Sequence, residues 1–204
     1  MEGETPCRYS MMALLLRNAR KLAGRNIETG VYEMNEVNEN NFVEQTYYSM
    51  QYTSLINYLI LLEQIGSIFK PKEIDKIEKT NGIYCTLKYF SPLNQEKIDA
   101  IKALRNSLVH KFGLATEKKD KGAGSFKFLL SIKKNNEIVI PKYWSGDFSD
   151  KSDNTLTTIF IPSFEDLVEG IYSNIVQDWE LSKLEILPEV TINEIKARYT
   201  IVED

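Results

Sequence analysis

The sequence predicts a mainly α fold: an antiparallel helical bundle with a small antiparallel β insertion placed between its last two long helices. Three observations predict it. Apolar side chains recur at spacings of three and four through several long segments, the period of a helix with one buried face. Between Phe126 and Ile161 the pattern changes to short β-like runs bounded by polar turns. A chain of 204 residues with 43% apolar content can also bury a real core. The expectation is a single domain over 1–204 with the insertion at 124–162.

The first helix is expected to open at Thr5-Pro6, a capping residue followed by proline at the first helical position, and to run through Met11, Leu14, Leu15, Ala19 and Leu22 toward Gly24. Arg8, Arg17, Arg20, Lys21 and Arg25 make it basic, and exposed helix charge is the expectation for them rather than a phosphate contact. The polar run Asn35 to Asn41 breaks the chain. A long helix from about Asn41 to Phe69 then carries Phe42, Tyr47, Met50, Ser54, Tyr58, Leu61, Ile65 and Ile68. The recurrence of Ser54, Leu61 and Ile68, and of Tyr58 and Ile65, every seven residues suits antiparallel packing in a bundle. Its tyrosine-rich face is expected to be core or seam rather than a platform for bases. Glu63 interrupts an apolar run and is expected to be a partly exposed helix carboxylate rather than a group aimed at a site. Pro71 ends this helix. Lys72 to Lys79 predicts a short charged helix, Asn81-Gly82 a turn, and Ile83 to Phe90 another brief helix closed by Ser91-Pro92.

Gln95 to Phe112 predicts a helix of about 18 residues. Asn94 is a good N-cap, and Glu96 and Asp99 put negative charge where the helix dipole is positive. Gly113 supplies the stop. Ile98, Ile101, Leu104, Leu108 and Phe112 mark the face that needs a core. Asn106 and His110, the only histidine in the chain, are neighbours one turn apart. Arg105 lies about 140° around the axis from His110. To meet it, Arg105 must bend outward along its flexible stem, or a second protein surface must bring another copy of these groups.

Phe126 to Ile132, Glu137 to Trp144 and Thr155 to Ile161 predict three short strands, the first two joined by a hairpin turn at Asn135-Asn136. So small a sheet needs the bundle or another subunit to lie on. Ser163, followed by Glu165 and Asp166, predicts the cap of a last strong helix. Its buried face is Phe164, Leu167, Val168, Ile171, Ile175, Val176 and Trp179, and Pro188 ends it. A short helix is expected at Ile192 to Tyr199.

Composition narrows the chemistry. No apolar run reaches spanning length and nothing resembles a signal peptide, so a soluble cytoplasmic protein without membrane partners is expected. Cys7 and Cys85 lack metal-ligand spacing and are expected to be buried thiols in a reducing compartment. One histidine and two distant cysteines leave no nitrogen–sulfur site for zinc, and no clustered acidic motif argues for magnesium; no cofactor is expected. The formal charge of −4 speaks against nucleic acid, but its distribution does not. From Lys102 to Lys134 nine basic residues face two acidic ones, a local +7 that leaves −11 for the remainder. Lys102, Lys111, Lys118, Lys119 and Lys121 are the candidates for an anionic ligand such as RNA.

An arginine presents a planar fork of donors suited to phosphate and stays charged at any working pH. A histidine titrates near neutrality and can take and return protons. With Asn106 to orient a group, Arg105 and His110 suffice for metal-free attack by a ribose 2′-hydroxyl on the adjacent phosphate. That reaction is best served by a base and an acid, and one chain has one imidazole. A homodimer would supply the second, or water would serve as the acid.

The spacing R-N-S-L-V-H resembles the Arg-x(4–6)-His motif of the HEPN family. The similarity extends to its place late in an all-helical run after a long helix (Y-L-I-L-L-E-Q-I-G-S-I-F) and to the polar Asn106 behind the arginine. It covers roughly residues 1 to 115 and the helix at Ser163, and it leaves the β insertion outside. The resemblance implies a four-to-five-helix bundle that dimerises with its motifs facing. It also implies a metal-independent ribonuclease of a toxin–antitoxin, abortive-infection or other phage-defence system, with an antitoxin or regulatory protein as partner. By the same resemblance Arg105 would contact phosphate, Asn106 would orient and His110 would be the acid/base. A subset of the family carries a modifiable tyrosine two residues after the histidine; here that position is Phe112, so silencing by that route is not expected. Two other functions compete: a non-catalytic module that binds a nucleotide or RNA end, and an interaction protein using the β insertion and the tyrosine-rich helix.

Overall fold

A computed structural model describes residues 7–33, 43–77, 81–117 and 124–203. The mainly α expectation holds at that level: six helices with small sheets between and beside them. At the centre lies α2 (Val43–Gly66), around which α1 (Met11–Leu22), α3 (Gly82–Phe90), α4 (Gln95–Lys111) and α5 (Ile161–Glu180) pack; α6 (Ile192–Tyr199) is peripheral. Leu55, Tyr58, Leu59, Leu61, Leu62 and Ile65 are all buried, so α2 is apolar on nearly every side through its second half, as a helix surrounded by others must be. Tyr58 is thus a core residue, in line with the sequence expectation.

Strands replace helix at several predicted positions. The chain enters α1 through β1 (Cys7–Ser10), which pairs antiparallel with β8 (Thr200–Glu203) and so ties the two ends of the described chain together. The expected opening at Thr5-Pro6 lies outside the described residues, as does the polar run 35–41. The long helix stops at Gly66 instead of Phe69, because Phe69 belongs to β2 (Phe69–Pro71), paired with β7 (Leu184–Ile186). Lys72 to Ile77 forms turns and irregular backbone rather than the start of the short helix predicted at Lys72 to Lys79, whose last two residues lie outside the described residues. With only Ile74 and Ile77 as apolar residues between charges, that stretch has too little apolar surface to hold so short a helix.

The sheet also departs from expectation. β3 (Ala115–Thr116), β4 (Phe126–Ser131), β5 (Val139–Ile140) and β6 (Leu156–Phe160) form one mixed sheet in the order β3-β4-β6-β5. β4 pairs with β6 in parallel, so Asn135-Asn136 closes no hairpin. Instead Asn135 exchanges two hydrogen bonds with Ser163: its N–H donates to Oγ at 3.0 Å, and that hydroxyl donates to its carbonyl at 2.6 Å. Ser163 is therefore inside α5 and not its cap; the helix starts at Ile161 with Pro162 in its first turn. The sheet lies on α4, burying Phe126, Phe128, Val139 and Ile159 in the common core. α5 ends at Glu180, well before Pro188, and along it Trp179 and Val176 are exposed while Phe164, Val168, Ile171 and Ile175 are buried.

Of the basic residues of the first segment, Arg17 and Lys21 are exposed as expected, but Arg20 and Arg25 are not. Arg20 forks onto Glu169, Nε to Oε1 at 2.9 Å and Nη2 to Oε2 at 2.7 Å, and Tyr58 donates to the same carboxylate at 2.7 Å. Arg25 donates to Asp166 at 2.8 Å and lies 3.5 Å from Glu165, whose carboxylate also accepts from Tyr32 at 2.6 Å and Ser54 at 2.9 Å. Both arginines are buried, and a buried charge is tolerated only when paired and hydrogen-bonded in this way. The network fastens α1, α2, α5 and the 24–33 loop to each other. α2, the helix that faces the candidate site, is thereby fixed.

Candidate functional site

α4 presents the site. Asn94 caps it as expected, its side chain accepting from the Lys97 N–H at 3.0 Å. Ile98, Ile101, Leu104 and Leu108 bury its inner face, which turns Asn106 and His110 outward. The helix ends one residue earlier than predicted, and its last turn corrects one expectation. Phe112 is not part of the apolar stripe but is 80% exposed, in the left-handed conformation at φ 50°. Its N–H closes on the Leu108 carbonyl and that of Gly113 on Ser107. Helices often stop this way, but usually with glycine at the left-handed position. Here glycine stands one place later.

Arg105 bends outward along its stem, as one of the two geometries allowed. Its Nη1 donates to Asn106 Oδ1 at 3.1 Å and lies 3.0 Å from His110 Nε2. A guanidinium can only donate, so in this contact the imidazole Nε2 is unprotonated and accepts. The three predicted residues are brought together within one chain. Glu63, whose expected role was that of a simple helix carboxylate, proves to be the group behind them. Its Oε2 is 3.6 Å from Arg105 Nε, an ion-pair distance that is too long for a hydrogen bond, and Nε itself has no hydrogen-bond partner. The same carboxylate accepts the backbone N–H groups of Gly82 and Ile83, each at 3.1 Å. It thus serves the positive end of α3 and the guanidinium at once.

That arrangement depends on two glycines. A Cβ on Gly66 would stand 2.0 Å from the Gly82 carbonyl, and one on Gly82 would stand 2.1 Å from the Glu63 carbonyl. α2 and α3 therefore approach backbone to backbone where Glu63 reaches across. In the sequence, the signal for Glu63 was its isolation in the apolar run Y-L-I-L-L-E-Q-I-G; the pairing with Asn81-Gly82 was not legible without the helix crossing.

The predicted basic surface is only partly assembled around the site. Lys111 is exposed beside His110, and Lys102 extends over the Tyr84 ring, 5.6 Å from its centroid. Lys118, Lys119 and Lys121 lie outside the described residues. Lys127 and Lys134 are engaged elsewhere: Lys127 donates to the Asp150 and Ser152 carbonyls, and Lys134 pairs with Asp166 at 2.7 Å. A cavity of about 210 Å³ opens beside Asn106, walled by Lys102, Ala103, Thr116 and Phe126. Among the described residues no group of three or more His, Cys, Asp or Glu is placed to hold a metal, and no helix is long and apolar enough to cross a membrane. Cys85 is buried in α3.

Compared with known proteins, the chain matches no family model, no curated sequence and no solved structure.

Proposed function

We propose that this chain is a metal-independent endoribonuclease of HEPN type that cuts single-stranded RNA in a toxin or phage-defence setting. The observation that carries the proposal is the 3.0 Å contact between Arg105 Nη1 and His110 on the outward face of α4, with Asn106 Oδ1 accepting from the same Nη1. A phosphate entering between the two side chains exchanges the Arg105–His110 contact for its own oxygens. The guanidinium then holds the charge that builds on the non-bridging oxygens, while the freed Nε2 faces the ribose.

The imidazole takes the proton of the 2′-hydroxyl, the 2′-oxygen bonds to phosphorus, and the bond from phosphorus to the 5′-oxygen breaks. The products are a 2′,3′-cyclic phosphate and a 5′-hydroxyl, the latter protonated by the imidazole of a paired chain or by water. Positioned proton transfer of this kind contributes about 10²- to 10⁴-fold to rate. His110→Ala is accordingly expected to lose that factor in cleavage of single-stranded RNA in EDTA while unfolding at the same temperature as the natural chain. Equal cleavage by the two proteins removes the proposal. RNA binding without cleavage, lost in Arg105→Ala but kept in His110→Ala, assigns the site to a binding module instead.

A further inference from the structure

The exposed phenyl ring of Phe112 is maintained against the preferences of both solvent and backbone. A bulky residue in the left-handed region is uncommon and strained. Gly113, the residue that suits this position, is adjacent in sequence and not used there. Exposure of 80% means that the ring is not packed into the core that would offset the strain. The turn carrying it is not loose either. Phe112 and Gly113 bond back to Leu108 and Ser107, Ser107 Oγ donates to the Ala115 carbonyl at 2.9 Å, and Phe128 N–H donates to the Leu114 carbonyl at 2.7 Å. The ring thus projects from a fixed turn, two residues beyond His110 and beside exposed Lys111. Scattered exposed apolar residues are ordinary. One held on a strained, anchored turn beside an exposed lysine and two residues from His110 is a different matter, since strain of this kind concentrates where ligands are held.

From these observations we propose that Phe112 is the stacking surface for an unpaired nucleobase next to the phosphate held by Arg105. The inference rests on the proposal that this site takes RNA, but not on its cutting it. Every base has an apolar face that an exposed phenyl ring can cover, and the adjoining guanidinium and lysine supply the charge for the backbone. Phe112 follows His110 by two residues at the C-terminal end of α4, so the ring and the imidazole lie at the same end of the helix. The ligand is therefore a single-stranded polynucleotide, because a paired base keeps its faces within its own stack.

The test uses the full chain and a 2′-O-methyl oligoribonucleotide, which offers no 2′-hydroxyl for attack, so binding is read without cleavage. Fluorescence anisotropy should show Phe112→Gly binding the single strand about 5- to 150-fold more weakly, the range found when a stacked aromatic is removed, with Phe112→Trp close to the natural chain. Phe112→Gly should unfold at the same or a higher temperature, since glycine relieves the left-handed strain. Undiminished binding by Phe112→Gly overturns the proposal. So does a dimer in sedimentation that becomes a monomer on Phe112→Gly with no change in RNA affinity per chain, because the ring then belongs to a contact between copies. Binding that depends on Phe112, without cleavage of ordinary RNA, upholds the stacking role and removes the ribonuclease proposal. Cleavage that needs His110 but is indifferent to Phe112 does the reverse. If the natural chain binds no single strand, both fall.

Discussion

Replacing Glu63 by alanine tests the framework behind the site. The carboxylate accepts two backbone N–H groups at 3.1 Å and stands 3.6 Å from Arg105 Nε. Hydrogen bonds to a charged group contribute about 1.5–3 kcal/mol each when well buried. The Glu63 side chain is 23% exposed, so water can reach part of what is uncovered. Asn81 also continues to cap α3 through the Tyr84 N–H. About 2–3 kcal/mol of lost stability is therefore expected rather than the full sum of the two bonds. For a chain of this length that corresponds to a melting temperature lower by roughly 4–12 °C. Glu63→Gln keeps one acceptor and loses the charge, with an expected cost of about 1–2 kcal/mol. Thermal unfolding followed by circular dichroism, with urea midpoints as a check, measures both variants. A Glu63→Ala protein that melts within 1 °C of the natural chain would refute the reasoning, because the end of α3 and the guanidinium would then be held by something else.

Gly82→Ala places a methyl group 2.1 Å from the Glu63 carbonyl, a clash with backbone that no side-chain rotation relieves; we expect a loss above about 3 kcal/mol, read as a collapse of the urea midpoint. Glu165→Ala removes the acceptor shared by Tyr32 and Ser54 and the more distant of the two carboxylates beside buried Arg25, which keeps Asp166; it should cost about 1–3 kcal/mol, whereas an unchanged midpoint would mean that the network is not structural. Burial pushes the Glu165 carboxyl above the ordinary carboxylate range despite the bonds from Tyr32, Arg25 and Ser54, so the native state holds its proton more tightly than the unfolded chain. That contribution is greatest below the unfolded value of about 4.3 and declines as pH rises through the native value. The stability advantage of the natural chain over Glu165→Gln should thus shrink from pH 4.5 to 7.5 in denaturation experiments, and an advantage that grows with pH would contradict it.

The parts of the fold set by one segment's own pattern were legible in the sequence, and the parts set by crossings between segments were not. α4 begins where expected because Asn94 is a capping residue placed before a periodic apolar run, and α3 begins one residue early, with Asn81, read in the sequence as part of a turn, as its cap. The same logic failed at Ser163: its hydroxyl satisfies the backbone of Asn135, a partner 28 residues away that no local rule indicates. The hairpin at Asn135-Asn136 failed for a related reason, since parallel pairing of β4 with β6 is a choice between long-range partners. Arg20 and Arg25 look like solvent-facing charge until Glu165, Asp166 and Glu169 arrive from the far end of the chain. At the site, the residue types of Arg105, Asn106 and His110 indicated the chemistry, and helix geometry limited how they could meet. The role of Glu63 needed the Gly66–Gly82 crossing, and the exposure of Phe112 needed the last turn of α4 to close one residue early.

The central claim is that Arg105 and His110 cut RNA through its own 2′-hydroxyl, and the chemistry of the product ends tests it most directly. End-labelled single-stranded RNA incubated with the natural chain in EDTA should yield 2′,3′-cyclic phosphate and 5′-hydroxyl ends. A single 2′-deoxy nucleotide at the scissile position should stop cleavage there, and Arg105→Lys should lose most of the activity because it lacks the planar fork. Products bearing 3′-hydroxyl and 5′-phosphate ends, or undiminished cleavage next to the deoxy nucleotide, would contradict the account.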